Sequence, residues 1–325
     1  MTFICFLSMK ENKVIHADEH NLGAKALRIG GVVCVIAFGA LLVFFGSDLI
    51  NSVGHISFAI LLIACAGTYD DLMGKLPALG KLIFGVFSAA LASFDYASFD
   101  KMNWSVDGAF ADNFYILTIV LILTCFSVLA VQGFNLIDGS NCLLSVNVVP
   151  GFCLLNILFQ QQSLVFEYHL VSFVMGLSVA LLLTNLRRDK IFHGDGGAFF
   201  LGASLVFLSI YFYFKVEGVS ILFPIVVTFL PFYELVRSAM RRFLSKKQIF
   251  SPDRLHLHCL VLDFFITRNL PVAYLTPALI LSFFPVLSGV ACWLYIDNTP
   301  VLLLICITQI FTYELMCRTL TNAES

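Results

Sequence analysis

From residue 31 to residue 319 the sequence is a succession of long apolar stretches separated by short polar ones. A stretch of about 20 apolar residues, wound as a helix, satisfies its own backbone N–H and C=O groups and matches the hydrocarbon thickness of a bilayer. Spans are predicted near 31–50, 56–69, 79–94, 113–131, 142–160, 168–186, 197–214, 219–243, 271–294 and 300–319. The expected fold class is therefore all-α: a polytopic integral membrane protein with about ten transmembrane helices. Charged residues make up only 12% of the chain, about half the share found in soluble domains, which excludes an ordinary cytosolic globule. The 34 Phe are spread along the whole length, and no linker, internal repeat or low-complexity tract interrupts it. Residues 1–325 are accordingly read as one multi-span membrane domain. There is no basic stripe to bind nucleic acid. The ten Cys are scattered, mostly within apolar runs and without a CxxC spacing, and read as small core residues. Met1 to Met9 is apolar but short and has no basic residue before it, so it is neither a signal peptide nor a full span.

The charges sort by side. If the chain alternates across the membrane from its polar N-terminal segment, all of the 19 Lys and Arg except Lys101 and Lys215 fall on the starting side, counting the basic helix end after Glu234 with it. By the positive-inside rule that side is cytoplasmic, and both termini are expected there. Asp48, Asp95, Asp100, Asp107, Asp112, Glu167, Glu217 and Asp297 go to the other side, where a solvated surface explains them.

Four polar motifs fall on the starting side. Tyr69-Asp70-Asp71 ends the second span, with Lys75 and Lys81 close behind; adjacent carboxylates at a membrane helix end need a cation, a proton or solvent. Gly133-Phe134-Asn135-Leu136-Ile137-Asp138-Gly139-Ser140-Asn141 follows the fourth span. If it is helical, Asn135, Asp138 and Asn141 share a face and suit a hard cation or a hydrogen-bonded ligand; a helix end with a turn explains it as well. Phe192-His193-Gly194-Asp195-Gly196-Gly197-Ala198 opens the seventh span, where glycines admit a phosphate to the helix N-terminus and an Asp can hold a divalent ion. Ser251-Pro252-Asp253-Arg254-Leu255-His256-Leu257-His258-Cys259 lies in the longest loop of that side, with groups that bind phosphate or move protons near neutral pH. A plain solvated loop, or zinc on His256, His258 and Cys259, are its alternatives. Together the motifs hold what magnesium-assisted phosphoryl transfer on a nucleotide needs.

At these residues the sequence resembles the polyprenyl-phosphate N-acetylhexosamine-1-phosphate transferases, which carry an Asp-Asp at a helix end, an Asn-x-x-Asp-Gly segment, a Phe-x-Gly-Asp-x-Gly segment and a late His-x-His loop in this order. Arg28-Ile29-Gly30-Gly31 resembles the Arg-x-Gly-Gly that opens an early span in that family, and the resemblance runs over roughly residues 20–265. It implies transfer of a sugar 1-phosphate from a UDP-N-acetylhexosamine to undecaprenyl phosphate, releasing UMP, at the cytoplasmic face of a bacterial inner membrane. That step initiates a cell-surface polysaccharide such as O-antigen. Carried over, Asp195 is the magnesium ligand, with manganese an alternative ion. Asp70, Asp71 and Asp138 are catalytic, Asp70 being the candidate base, though an Asp acting as nucleophile is left open. Lys81 binds phosphate, Phe192 stacks on uracil, Asn135 and Asn141 line the nucleotide site, and Arg254, His256 and His258 hold the diphosphate or the sugar. A homodimer is left open.

The sequence also departs from that pattern. A span the family has before Arg-x-Gly-Gly is not supplied, with an alternative start, a truncated reading frame or a real loss left open; Glu234 stands where the family has Asp, and Cys142 and Cys259 replace a Gly and a His. A catalytically silent homologue acting as an assembly scaffold is therefore one alternative. A transporter with intramembrane carboxylates is another, although the acids lie at helix ends rather than mid-span.

Overall fold

In a computed structural model of the protein the described residues are 28–44, 46–97, 109–140, 142–186, 192–246, 254–268 and 275–322. Among them are thirteen helices and no strand. They are α1 (Gly30–Phe44), α2 (Gly46–Met73), α3 (Ala78–Ala97), α4 (Ala109–Ile137), α5 (Leu143–Gln161), α6 (Val165–Asn185), α7 (Gly194–Lys215), α8 (Phe223–Val227), α9 (Phe229–Leu244), α10 (Leu257–Thr267), α11 (Thr276–Leu281), α12 (Phe283–Tyr295) and α13 (Thr299–Asn322). Eight segments among the described residues are long and apolar enough to cross a membrane, and each coincides with a predicted span.

The other two predicted spans differ from expectation. The first, 31–50, contains only the 15-residue α1, because the chain has already entered α2 at Gly46. The one predicted at 219–243 is broken at Thr228 into α8 and α9. Pro231 explains the break: it has no N–H to give the carbonyl four residues back, at Val227, and its ring crowds that carbonyl. The same rule acts at Ser282, where α11 ends and α12 begins three residues before Pro285. Pro150, by contrast, is absorbed within α5, so proline permits a break that packing must complete.

Helix α7 is the hub. Almost all of it is buried, 94% of its most apolar window, and it packs against α1, α2 and α4. A helix apolar on every side is what such a position requires. Its first residues therefore lie where neighbouring helices also end, and those ends carry the polar motifs.

At the far end of α7 two of the acids expected to be solvated are not. Glu167 is 2% exposed and accepts hydrogen bonds from Tyr211 Oη (2.7 Å) and Ser52 Oγ (3.2 Å). Asp95 is 12% exposed in its side chain. Helix α2 has non-helical backbone at Val53, which frees N–H groups just beyond it. The Asp95 carboxylate accepts the Ile56 N–H at 2.8 Å and pairs with His55 Nδ1 at 2.7 Å. It serves the second half of α2 as an N-cap supplied by another helix.

Candidate active site

The two adjacent carboxylates at the end of α2 point to different partners. Asp70 Oδ1 accepts the Leu76 N–H at 2.9 Å, and its Oδ2 pairs with Lys81 Nζ at 2.6 Å. The same ammonium pairs with the Asp195 carboxylate. Lys81, in the first turn of α3, thus joins the end of α2 to the start of α7. Asn135 Nδ2 approaches Asp195 Oδ2 at 3.5 Å from α4.

Asp71 turns the other way. It is 5% exposed, and its two oxygens accept the N–H of Asp195 at 3.0 Å and of Gly196 at 2.9 Å. A carboxylate on the orphan donors of a helix N-terminus is favoured by hydrogen bonding and by the helix dipole together. Gly194 makes this possible: its φ is +66° and a Cβ there would lie 2.5 Å from Asp71 Oδ2. Gly30 and Gly31 complete the junction by donating their N–H groups to the carbonyls of Phe192 (3.2 Å) and His193 (3.0 Å). The Arg-x-Gly-Gly segment is thereby a backbone clamp on the segment before Asp195.

The Asn-x-x-Asp segment is not one helical face. Helix α4 ends at Ile137, so Asn135 stays on the helix while Asp138 sits in the turn beyond it; Asn141 lies outside the described residues. Asp138 Oδ1 is 2.8 Å from His193 Nδ1, and His193 Nε2 is 2.7 Å from Ser145 Oγ in the first turn of α5. Burial pushes the Asp138 carboxyl above its ordinary range, against the opposing pull of His193 and of Arg28 nearby. Between Asp138 and Ser145, Cys142 has φ +62°, the left-handed conformation in which glycine is at ease.

The His-x-His segment is held from below. His256 precedes α10, and its Nδ1 lies 3.0 Å from Glu234 Oε1, which also accepts the Leu257 N–H at 3.0 Å. The other Glu234 oxygen accepts the Tyr313 hydroxyl from α13. The His256 and His258 rings stack, 5.6 Å apart and 7° from parallel. A Cβ built on Gly139 would be 3.9 Å from His258 Nε2, so the loop reaches the residue next to Asp138. Helix α9, which carries Glu234, lies directly on α4: a Cβ on Gly133 would collide with the Pro231 carbonyl.

Residues of all four motifs therefore meet at one end of the bundle. Two expected substrate contacts lie differently from the rest. Phe192 is buried, and Arg254, 54% exposed, pairs with Asp263 of α10 at 2.7 Å. Ser251, Pro252 and Asp253 are outside the described residues. Among the described residues no group of three His, Cys, Asp or Glu side chains is arranged to hold a metal. Sequence reasoning missed His193, Ser145 and Tyr313. His193 stood inside a quoted motif and could have been singled out; nothing in the pattern around Ser145 or Tyr313 separates them from core.

Residues 53–213 match the model for glycosyl transferase family 4. This stretch of the chain is similar to that family. Similar proteins include a probable undecaprenyl-phosphate N-acetylglucosaminyl 1-phosphate transferase of Bacillus subtilis, 30% identical over 142 residues, which are 43% of this chain and 40% of the relative. An undecaprenyl-phosphate alpha-N-acetylglucosaminyl 1-phosphate transferase of Thermotoga maritima is 36% identical over 129 residues, 39% of this chain and 38% of that protein. A phospho-N-acetylmuramoyl-pentapeptide-transferase of Streptococcus pneumoniae is 25% identical over 268 residues, 75% of this chain and 77% of that protein. The chain thus spans about two-fifths of the length of the first two relatives. The family 4 stretch contains Asp70, Asp71, Lys81, Asn135, Asp138 and Asp195, whereas Glu234, the His-x-His loop and α13 lie beyond it.

Proposed function

We propose that the protein transfers a sugar 1-phosphate from a UDP-N-acetylhexosamine to undecaprenyl phosphate, as the initiating step of a cell-surface polysaccharide. The observation that carries this reading is the Lys81 ammonium held between Asp70 and Asp195, with the Asp138 turn and His258 beside it. In the reaction an oxygen of the lipid phosphate attacks the sugar-bearing phosphorus. A new P–O bond forms, and the P–O bond to UMP breaks with its electron pair leaving on UMP. One pyrophosphate is exchanged for another, so no energy source is needed.

The residues divide this work. Lys81, His256 and His258 offer cationic or hydrogen-bonding contacts to the diphosphate. Asp70 takes the proton of the lipid phosphate where that group arrives protonated. Asp71 acts through the backbone, holding the N-terminus of α7 and so the direction of Asp195. The Asp195 carboxylate already faces a cation, and a carboxylate completed by substrate phosphate oxygens suits magnesium, or manganese in its place. Asp195 would hold that ion, which when bound supplies neutralisation of the phosphate charge. The distribution of Lys and Arg supports placing this end of the bundle on the cytoplasmic side of a bacterial inner membrane, where a UDP-sugar is met.

The test is transfer of label from UDP-N-acetylglucosamine, the donor suggested by the relatives' names, and then from other UDP-N-acetylhexosamines, to undecaprenyl phosphate by purified protein with and without magnesium. Lipid-linked product with stoichiometric UMP is expected. Absence of product with every donor, from a folded preparation, would overturn the proposal in favour of a silent scaffold.

A further inference from the structure

Both ring nitrogens and the carbonyl of His193 are engaged. Its ring is 1% exposed and lies between the turn after α4 and the first turn of α5. Nδ1 meets Asp138 Oδ1 at 2.8 Å, Nε2 meets Ser145 Oγ at 2.7 Å, and its carbonyl accepts the N–H of Gly31 at 3.0 Å and of Gly197 at 3.2 Å. Backbone and ring are thus fixed from opposite directions, and Ser145 is itself fully buried. A carboxylate only accepts, whereas a hydroxyl can donate. The arrangement that satisfies all three side chains puts the proton on Nδ1, towards Asp138, and lets Nε2 accept from Ser145.

We infer that His193 is a positioning residue for the transfer reaction: it holds Asp138 Oδ1, leaves Oδ2 as the oxygen that can address substrate, and ties Asp138 to the α7 N-terminus that carries Asp195. This rests on the reading that Asp138 serves the transfer. Its physical content is that the ring matters through one nitrogen in particular. A ring that merely filled space between α4, α5 and α7 would matter through its volume, whichever nitrogen were replaced.

Two substitutions separate these cases. In His193→Asn the side-chain amide falls near the Nδ1 position and keeps a donor to Asp138. In His193→Gln it reaches towards Nε2, keeping Ser145 and losing Asp138. His193→Gln and His193→Ala are expected to lose about 10- to 100-fold in kcat with a smaller change in KM, the scale on which groups that orient site ligands act. His193→Asn is expected to lose least, while Asn and Gln variants melt at similar temperatures. In an Asp138→Asn background His193→Ala should cost nothing further. The reverse order, or losses that follow melting temperature alone, would overturn the inference. If the wild-type protein transfers from no donor, the parent reading has failed, and the ring is then judged by nitrogen-15 NMR of histidine-labelled protein in bilayers. A proton on Nδ1 that is lost in Asp138→Ala supports the inference, and a wild-type ring protonated on Nε2 alone refutes it.

Discussion

Asp70 and Asp71 are neighbours in sequence with opposite surroundings, and substitution should separate them. Asp195→Asn is expected to abolish transfer while leaving the melting temperature within a few degrees of wild type, because Asp195 lies at an open cluster and its carboxylate makes no backbone bond among the described residues. Asp71→Asn replaces a carboxyl group whose two oxygens accept two buried backbone N–H groups. Losing one of them costs about 1–3 kcal/mol, so activity and melting temperature should fall together; thermal unfolding in detergent, run beside the transfer assay, checks both. A stable but inactive Asp71→Asn protein would instead place that carboxylate in the chemistry. The Asp-Asp pair stood out in the sequence as a candidate site, but the different surroundings of its two carboxylates did not. Which carboxylate faces a lysine and which a helix end depends on the crossing of α2, α3 and α7, which no local pattern encodes. Glu167 and Asp95 failed for the related reason that a residue's side of the membrane does not say whether another helix covers it.

At the scale of elements, the broken helix is what brings the His-x-His loop to the site. The break at Thr228 redirects the chain so that α9 crosses α4 at Gly133, and one turn further on Glu234 meets His256 and Tyr313. Glu234 therefore fastens α10 and α13 to α9 through a single carboxylate. Its extra methylene, relative to the Asp that the family resemblance led one to expect, gives it the reach to serve both partners. Shortening it by Glu234→Asp should release one of them, and Glu234→Gln should weaken the hold on the imidazole. Either is expected to reduce kcat/KM by about 10- to 100-fold. Tyr313→Phe, which leaves the His256 contact in place, should cost less. Steady-state kinetics of the three variants tests the order; equal losses in all would mean that the Tyr313 contact matters as much as the histidine contact. The prolines behind these breaks were visible at residues 231 and 285. Reading the spans by hydropathy alone hid them, because an apolar run remains apolar across a kink.

For the molecule as a whole, helix α7 joins two polar ends. Asp195 stands at one and Lys215 at the other, with a buried apolar stretch of membrane-spanning length between them. By the Lys and Arg sorting the Asp195 end is expected to face the cytoplasm and the Glu217 end to face out. Hydropathy placed the eight long helices correctly, because burial in lipid and burial in protein both select apolar residues; orientation rests on charge counting, which the packing of the bundle does not test. Cysteine labelling does. Glu217 and Lys75 are both exposed, one beyond the C-terminal end of α7 and the other in the turn between α2 and α3. Glu217→Cys should react with a membrane-impermeant maleimide in intact cells. Lys75→Cys should react only after the membrane is opened. The native Cys65, Cys125 and Cys153, exposed on membrane-spanning helices, should stay unlabelled in both because a polar reagent does not reach hydrocarbon. Labelling of Lys75→Cys from outside would invert the protein, place the Asp70, Lys81 and Asp195 cluster away from cytosolic UDP-sugars, and remove the physical basis of the proposed transfer.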